Sequence, residues 1–193
     1  MEADWEVEVG AGAPVIDALW QGHVDLRLAP EQASQLPEVA VLPALAHALV
    51  ALNAPASPVW TAKCDLWPVD EFDPDELDAP RDERLQAIAC YIDLLPGAGL
   101  QWRDPDEAAN WCKGICSRIR SISLRCCRVD LVVRSAIPGP DRLDDLLYGV
   151  TAYLTAAGAD AAAASSALSA ALAAFADSVC PVAPPDSWAS KLQ

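Results

Sequence analysis

Cys64-Asp65-Leu66, then Pro74-Asp75-Glu76-Leu77-Asp78, then Ala89-Cys90-Tyr91-Ile92 form a run of landmarks that the chain uses again. The second run is Val129-Asp130-Leu131, Pro140-Asp141-Arg142-Leu143-Asp144 and Thr151-Ala152-Tyr153-Leu154. Each reads as a strand carrying Asp-Leu, an acidic proline turn and a strand carrying Tyr, and a stretch of helical periodicity follows each. A strand-strand-helix unit used twice, over about residues 59–121 and 124–180, predicts α+β architecture. The expected form is a two-layer sandwich: a four-stranded, mainly antiparallel sheet with helices on one face.

Working outward, strands are expected at about Val59–Val69, Gln86–Leu95, Leu124–Arg134 and Tyr148–Ala156. Asp104-Pro105 is a helix start, with a capping aspartate, proline in the first turn and Asp106 and Glu107 at the positive end of the dipole. Ala108, Trp111, Cys112, Ile115, Ile119 and Ile122 then form its apolar stripe. Gly158 and Asp160 open a last helix with a seam of Leu168, Leu172, Phe175 and Val179, closed by Pro181. Val39, Leu42, Leu45, Leu49 and Leu52 recur at helical spacing between Leu36 and Asn53, and Pro43 limits where that helix begins. Residues 1–36 read as an irregular extension packing on a single domain of residues 37–180. It holds a short strand at Trp5–Val9, a glycine-rich turn and a short helix around Val15–Trp20. Residues 181–193 read as a proline-rich arm.

Strand alternation assigns faces. Cys64, Leu66, Ile88, Cys90, Ile92, Leu94, Val129, Leu131, Val133, Val150, Ala152 and Leu154 fall on one side and predict the helix-covered face. The other side collects Lys63, Asp65, Trp67, Tyr91, Asp93, Arg128, Asp130, Arg134, Tyr153 and threonines. Aromatics mixed with both charge signs on an open face suit the recognition of a small molecule or a protein, with Trp67, Tyr91, Arg128, Arg134 and Tyr153 as contact residues. Two alternatives stand beside this reading. Asp65, Asp93 or Asp130 could serve as acid/base groups of a small hydrolase or isomerase-like enzyme. The face could instead be buried in a homodimer, or covered by residues 1–36 through Trp5 and Trp20. An ordinary solvated face, with Lys63–Asp65 and Arg128–Asp130 pairs, is the plainest account.

The net charge of -15 and pI near 4.2 disfavour nucleic acid and anionic membrane surfaces, which require a Lys/Arg field. Six cations between Lys113 and Arg134 face acids crowded between Asp65 and Glu83, which suggests pairing between the two repeats. The tract Asp70–Asp78 lacks the glycine of a calcium loop, and the seven cysteines form no C-x-x-C pair, so no metal is expected. Val7-Glu8-Val9-Gly10-Ala11-Gly12 resembles a nucleotide turn but is followed by prolines rather than a strand-helix series, so no cofactor is expected either. His47 belongs on a helix surface. Met1–Val9 has no signal-peptide pattern, and Ala161–Val179 carries serines and Asp177, so a membrane span is not expected. Reduced thiols then point to the cytoplasm.

Overall fold

The computed structural model describes residues 1–18, 20–81, 84–97, 99–137 and 147–180. Its strands are β1 (Glu2–Val7), β2 (Val15–Asp17), β3 (Val59–Val69), β4 (Gln86–Pro96), β5 (Cys127–Ile137) and β6 (Leu147–Gly158). The helices are α1 (Pro37–Val41), α2 (Ala44–Leu52), α3 (Pro105–Arg120) and α4 (Ala161–Val179). The second Pro-Asp turn, 140–144, and the stretch 181–193 lie outside the described residues.

The sheet order is β1-β5-β6-β4-β3, with β2 also against β5. The α+β sandwich is as expected, but the sheet has six strands and is mixed. The four strands of the two units pair antiparallel, while β1 and β2 add in parallel to the outer side of β5. The extra strands come from residues read as irregular. Val15–Asp17 is a strand rather than a helix, and β1 begins earlier than Trp5. The Gly10 and Gly12 turn, both glycines at positive φ, links two strands that run consecutively along one edge.

Register places the two units about a centre between β4 and β6. Tyr91 faces Tyr153 across that centre, Asp65 faces Tyr91, and Asp130 faces Tyr153. The matched strand residues of the two runs therefore occupy equivalent register positions.

The covered face is the one alternation assigns. Cys90, Ile92, Leu94, Val129, Leu131, Val133, Val150, Ala152 and Leu154 join Leu45, Leu49, Ile115, Ile119, Leu168, Leu172 and Phe175 in one core. α3 and α4 begin where the capping aspartates predict: Asp104 accepts from Asp106 N–H at 2.7 Å, and Asp160 accepts from Ala163 N–H at 2.8 Å. Although α4 is long and apolar enough to cross a membrane, here it supplies core side chains against the sheet and α2. Pro43 divides the expected Leu36–Asn53 helix into α1 and α2. Buried Asn53 then ties the end of α2 to β3, donating to Leu49 O and Thr61 Oγ1 and accepting from Thr61 N–H.

Both outer strands protect their unpaired backbone in the same way. On β3, Asp65 Oδ1 accepts from the N–H of its neighbour Leu66 at 2.7 Å; on β1, Asp4 Oδ1 accepts from Trp5 N–H at 2.8 Å. Trp20 Nε1 donates to Ala62 O, Arg120 Nε donates to Ala3 O, and Pro68 offers no donor. Satisfied or missing donors keep an edge from templating another strand.

Candidate functional site

Among the described residues, the face opposite the helices is covered at both ends and left open in the middle. At one end Ile16 and Ala18 of the N-terminal segment pack with Ala62, Leu95, Ala136 and Trp60. At the other, Leu77 and Ala79 from the acidic loop pack with Ala87 and Ala157. Trp20 contributes to the first cover, but Trp5, expected there too, packs into the helix-side core.

Three rows of side chains cross the uncovered middle, as the register dictates. One runs Lys63, Asp93, Thr151, Val132, Glu6; the next Asp65, Tyr91, Tyr153, Asp130, Asp4; the third Trp67, Ala89, Thr155, Arg128, Glu2. All eight site residues expected from the sequence thus share this one face. The rings of Trp67 and Tyr91 lie 6.1 Å apart and those of Tyr91 and Tyr153 6.0 Å apart, both tilted, so a chain of three aromatics spans β3, β4 and β6. The Arg134 guanidinium sits 5.6 Å from the centre of the Tyr153 ring.

The charged groups are not used alike. Arg128 and Asp130 form the expected same-side pair at 2.7 Å, with Nε also donating to both carboxylate oxygens. Lys63 does not pair with Asp65. It turns to the Tyr91 hydroxyl, and that hydrogen bond raises its pKa; burial raises the Tyr91 phenol despite the ammonium beside it. Arg134, whose side chain is 14% exposed, holds Glu8 at 2.9 Å, and its Nη1 reaches Thr151 Oγ1 at 3.4 Å. Thr151 in turn donates to Asp93 Oδ1 at 2.6 Å. Burial pushes the Asp93 carboxyl above the ordinary carboxylate range, even though this hydrogen bond and the nearby Arg134 and Lys63 oppose the shift. Of the three strand aspartates, Asp65 is engaged by its own backbone and Asp130 by Arg128. Asp93 is the one held in a desolvated position.

The cations of the α3–β5 segment do not chiefly meet the acidic loop. Arg125 reaches Asp78 at 3.2 Å, but Arg120, Arg128 and Arg134 bond Asp4, Asp130 and Glu8. Within the loop, Asp75 pairs with Arg81, while Asp73 caps the 3-10 turn Pro74–Leu77. Among the described residues no three His, Cys, Asp or Glu side chains converge as a metal ion would need.

Sequence reasoning missed the contribution of β1. Glu2, Asp4, Glu6 and Glu8 were visible as an alternating acidic run, which is a strand signal in itself. Placed beside β5 they extend the open face and make its outer margin acidic. Two cavities open on the face. One, of about 410 Å³, is bounded by Asp4, Glu6, Arg128, Asp130, Arg134 and Tyr153. The other, of about 340 Å³, has Trp20, Lys63, Tyr91, Asp93, Arg134 and Tyr153 in its walls. No family model, curated protein or solved structure matches this chain.

Proposed function

We propose that this protein is a cytoplasmic, non-catalytic docking module that receives a basic partner protein on the open face of its sheet. The observation that carries this is the arrangement of the face: the Trp67–Tyr91–Tyr153 chain at its centre, acids along both margins. Interfaces concentrate binding energy in central Trp, Tyr and Arg residues, while rim charges steer encounter and select the partner's sign. Glu2, Asp4 and Glu6 stand exposed on one margin; Asp65 and the Asp70–Asp78 loop stand on the other. With a net charge of -15, long-range attraction favours cationic proteins. Two such faces repel each other, which argues against self-association through this surface. The cytoplasmic assignment draws support from seven free thiols.

The test is to identify the partner by crosslinking and mass spectrometry, then to measure the reconstituted complex by calorimetry. Trp67→Ala and Tyr91→Ala should each weaken binding by roughly 30-fold, about 2 kcal/mol. Affinity should also fall as salt is raised. Lys113→Glu, on the helix face, should change little. A complex indifferent to Trp67 and Tyr91, or crosslinked through α3, would overturn the reading.

A further inference from the structure

Lys63 and Asp93 stand directly opposite each other on neighbouring strands, yet they form no ion pair. Among the described residues neither charge has an oppositely charged group within 4.0 Å. Each is engaged instead by a neutral hydroxyl: Lys63 by Tyr91, and Asp93 Oδ1 by Thr151 at 2.6 Å. An ammonium has three donors and a carboxylate two oxygens, so both keep capacity toward the cavity they line. Arg134 and Lys63 lie near enough to favour the Asp93 carboxylate but do not touch it, and burial raises its pKa in spite of them.

The cavity also differs in charge from its surroundings. Among the described residues its walls hold Lys63 and Arg134 against Asp17 and Asp93, a formal balance of zero within a strongly acidic molecule. Trp20, Tyr91 and Tyr153 supply flat apolar walls around these charges. The rings already face cations of the chain itself, Lys63 at 5.5 Å from Trp20 and Arg134 at 5.6 Å from Tyr153. A ligand that is only a cation would have to displace them, and one that is only an anion would meet Asp93.

We propose that this cavity binds a small zwitterion of the free α-amino acid class, its ammonium on Asp93 and its carboxylate on Lys63. The ligand restores the ion pairs that the sheet holds apart, with its side chain against the aromatic walls. About 340 Å³ accommodates a molecule of that size.

The experiment is calorimetric titration of the full chain with each standard L-amino acid, at up to about 10 mM and low salt. At least one should bind with a Kd of about 1 mM or tighter. Its decarboxylated amine and its des-amino acid should bind roughly tenfold weaker or worse, because each leaves one charge unmet. Asp93→Asn should weaken binding 10- to 100-fold by the same reasoning, roughly, while an asparagine carbonyl still accepts from Thr151. Lys63 is exposed, so Lys63→Met provides a second variant that does not threaten the fold. Absence of binding by every amino acid, or binding that survives both substitutions, would overturn the assignment. Either result leaves partner docking through Trp67 untouched, so the two readings fail separately.

Discussion

Gly149 is where the N-terminal segment and the duplicated sheet meet, and an alanine there should loosen the cover over one end of the open face. A Cβ built on Gly149 would lie 2.7 Å from Ile16 Cδ1 and 2.9 Å from the backbone oxygen of Leu94. Ile16 is 3% exposed and belongs to the small cluster that seals this end. The side-chain end can shift, but the Leu94 oxygen cannot move without disturbing β4. Overpacking of this kind costs about 1–3 kcal/mol. In a chain of this length that corresponds to a melting temperature lowered by about 2–4 °C per kcal/mol. Ile16→Val removes the closest atom and alone should cost about 0.5–1.5 kcal/mol. The double variant should therefore be less destabilised than the two single effects added together, with a coupling near 1 kcal/mol. Urea denaturation of the four proteins measures that coupling. Hydrogen exchange across residues 15–18 should rise in Gly149→Ala and fall back in the double variant. Strict additivity, or unchanged exchange at β2, would refute the idea that Gly149 is small because Ile16 docks on it.

Asp93 gives a pH prediction with a definite sign. Its folded pKa is raised above the unfolded value of about 3.9. The native state therefore holds the proton more tightly, and stability falls as pH rises from about 4 through the folded value. Asp93→Asn should be more stable than wild type at pH 7, and the difference should vanish near pH 4; equal pH profiles in denaturant melts would reject the desolvated carboxyl. Asn53→Leu leaves Thr61 N–H and Oγ1 buried without partners and should cost about 2–4 kcal/mol in the same assay. A loss below 0.5 kcal/mol, roughly the level of an ordinary surface change, would show that the α2–β3 tie is not needed. Cys64 and Cys90 are pushed up to about 12 by burial, Cys116 and Cys127 to about 11, and Cys112 is raised further. Alkylation of the native protein at pH 7.5, mapped by mass spectrometry, should accordingly label Cys126 and Cys180 well before these five.

The four antiparallel strands of the sheet were legible because their signals are local. Alternation in Cys64–Val69 and its three counterparts assigns faces without any tertiary knowledge, and Asp104-Pro105 and Asp160 mark helix starts by their capping chemistry. β1 and β2 were not legible as sheet strands in the same sense. Glu2–Val7 alternates, but its apolar side is short, and Val15–Asp17 is three residues long; both are strands because the outer edge of β5 is there to pair with them. The site residues were found as a set because period-two alternation groups them. Their partners were not, since whether Lys63 turns to Asp65 or to Tyr91 depends on the neighbouring strand. The roles of Glu8 and Thr151 escaped for the same reason, each acting through a residue distant in sequence.

The two strand pairs also differ in what each brings to the open face. Asp65 and Asp130 are equivalent by register, but only Asp65 lies on a free edge, and it caps its own backbone. β1 has taken the edge beside Asp130, so Asp130 is released to Arg128, and the capping task passes to Asp4, its neighbour in register. Tyr91 and Tyr153 are equivalent as well, yet two residues beyond each stand Asp93 and Thr155. The carboxyl that burial perturbs therefore exists in one half only, and that half is the one whose outer strand Trp20 bonds. A symmetric frame with a symmetric face would offer two weak, identical surfaces. Here the N-terminal segment adds an acidic margin at one edge through β1 and a cavity wall beside Lys63 and Asp93 through Trp20. A variant with Asp93→Thr and Thr155→Asp keeps composition and net charge while moving the carboxyl to the other half. It should fold, since both positions lie on the open face and are half-buried. Amino-acid binding should nevertheless be lost, because Thr155 faces Arg128 rather than Lys63 and lies away from Trp20. Retained binding in that swap would mean that Trp20 and Lys63 do not define the site.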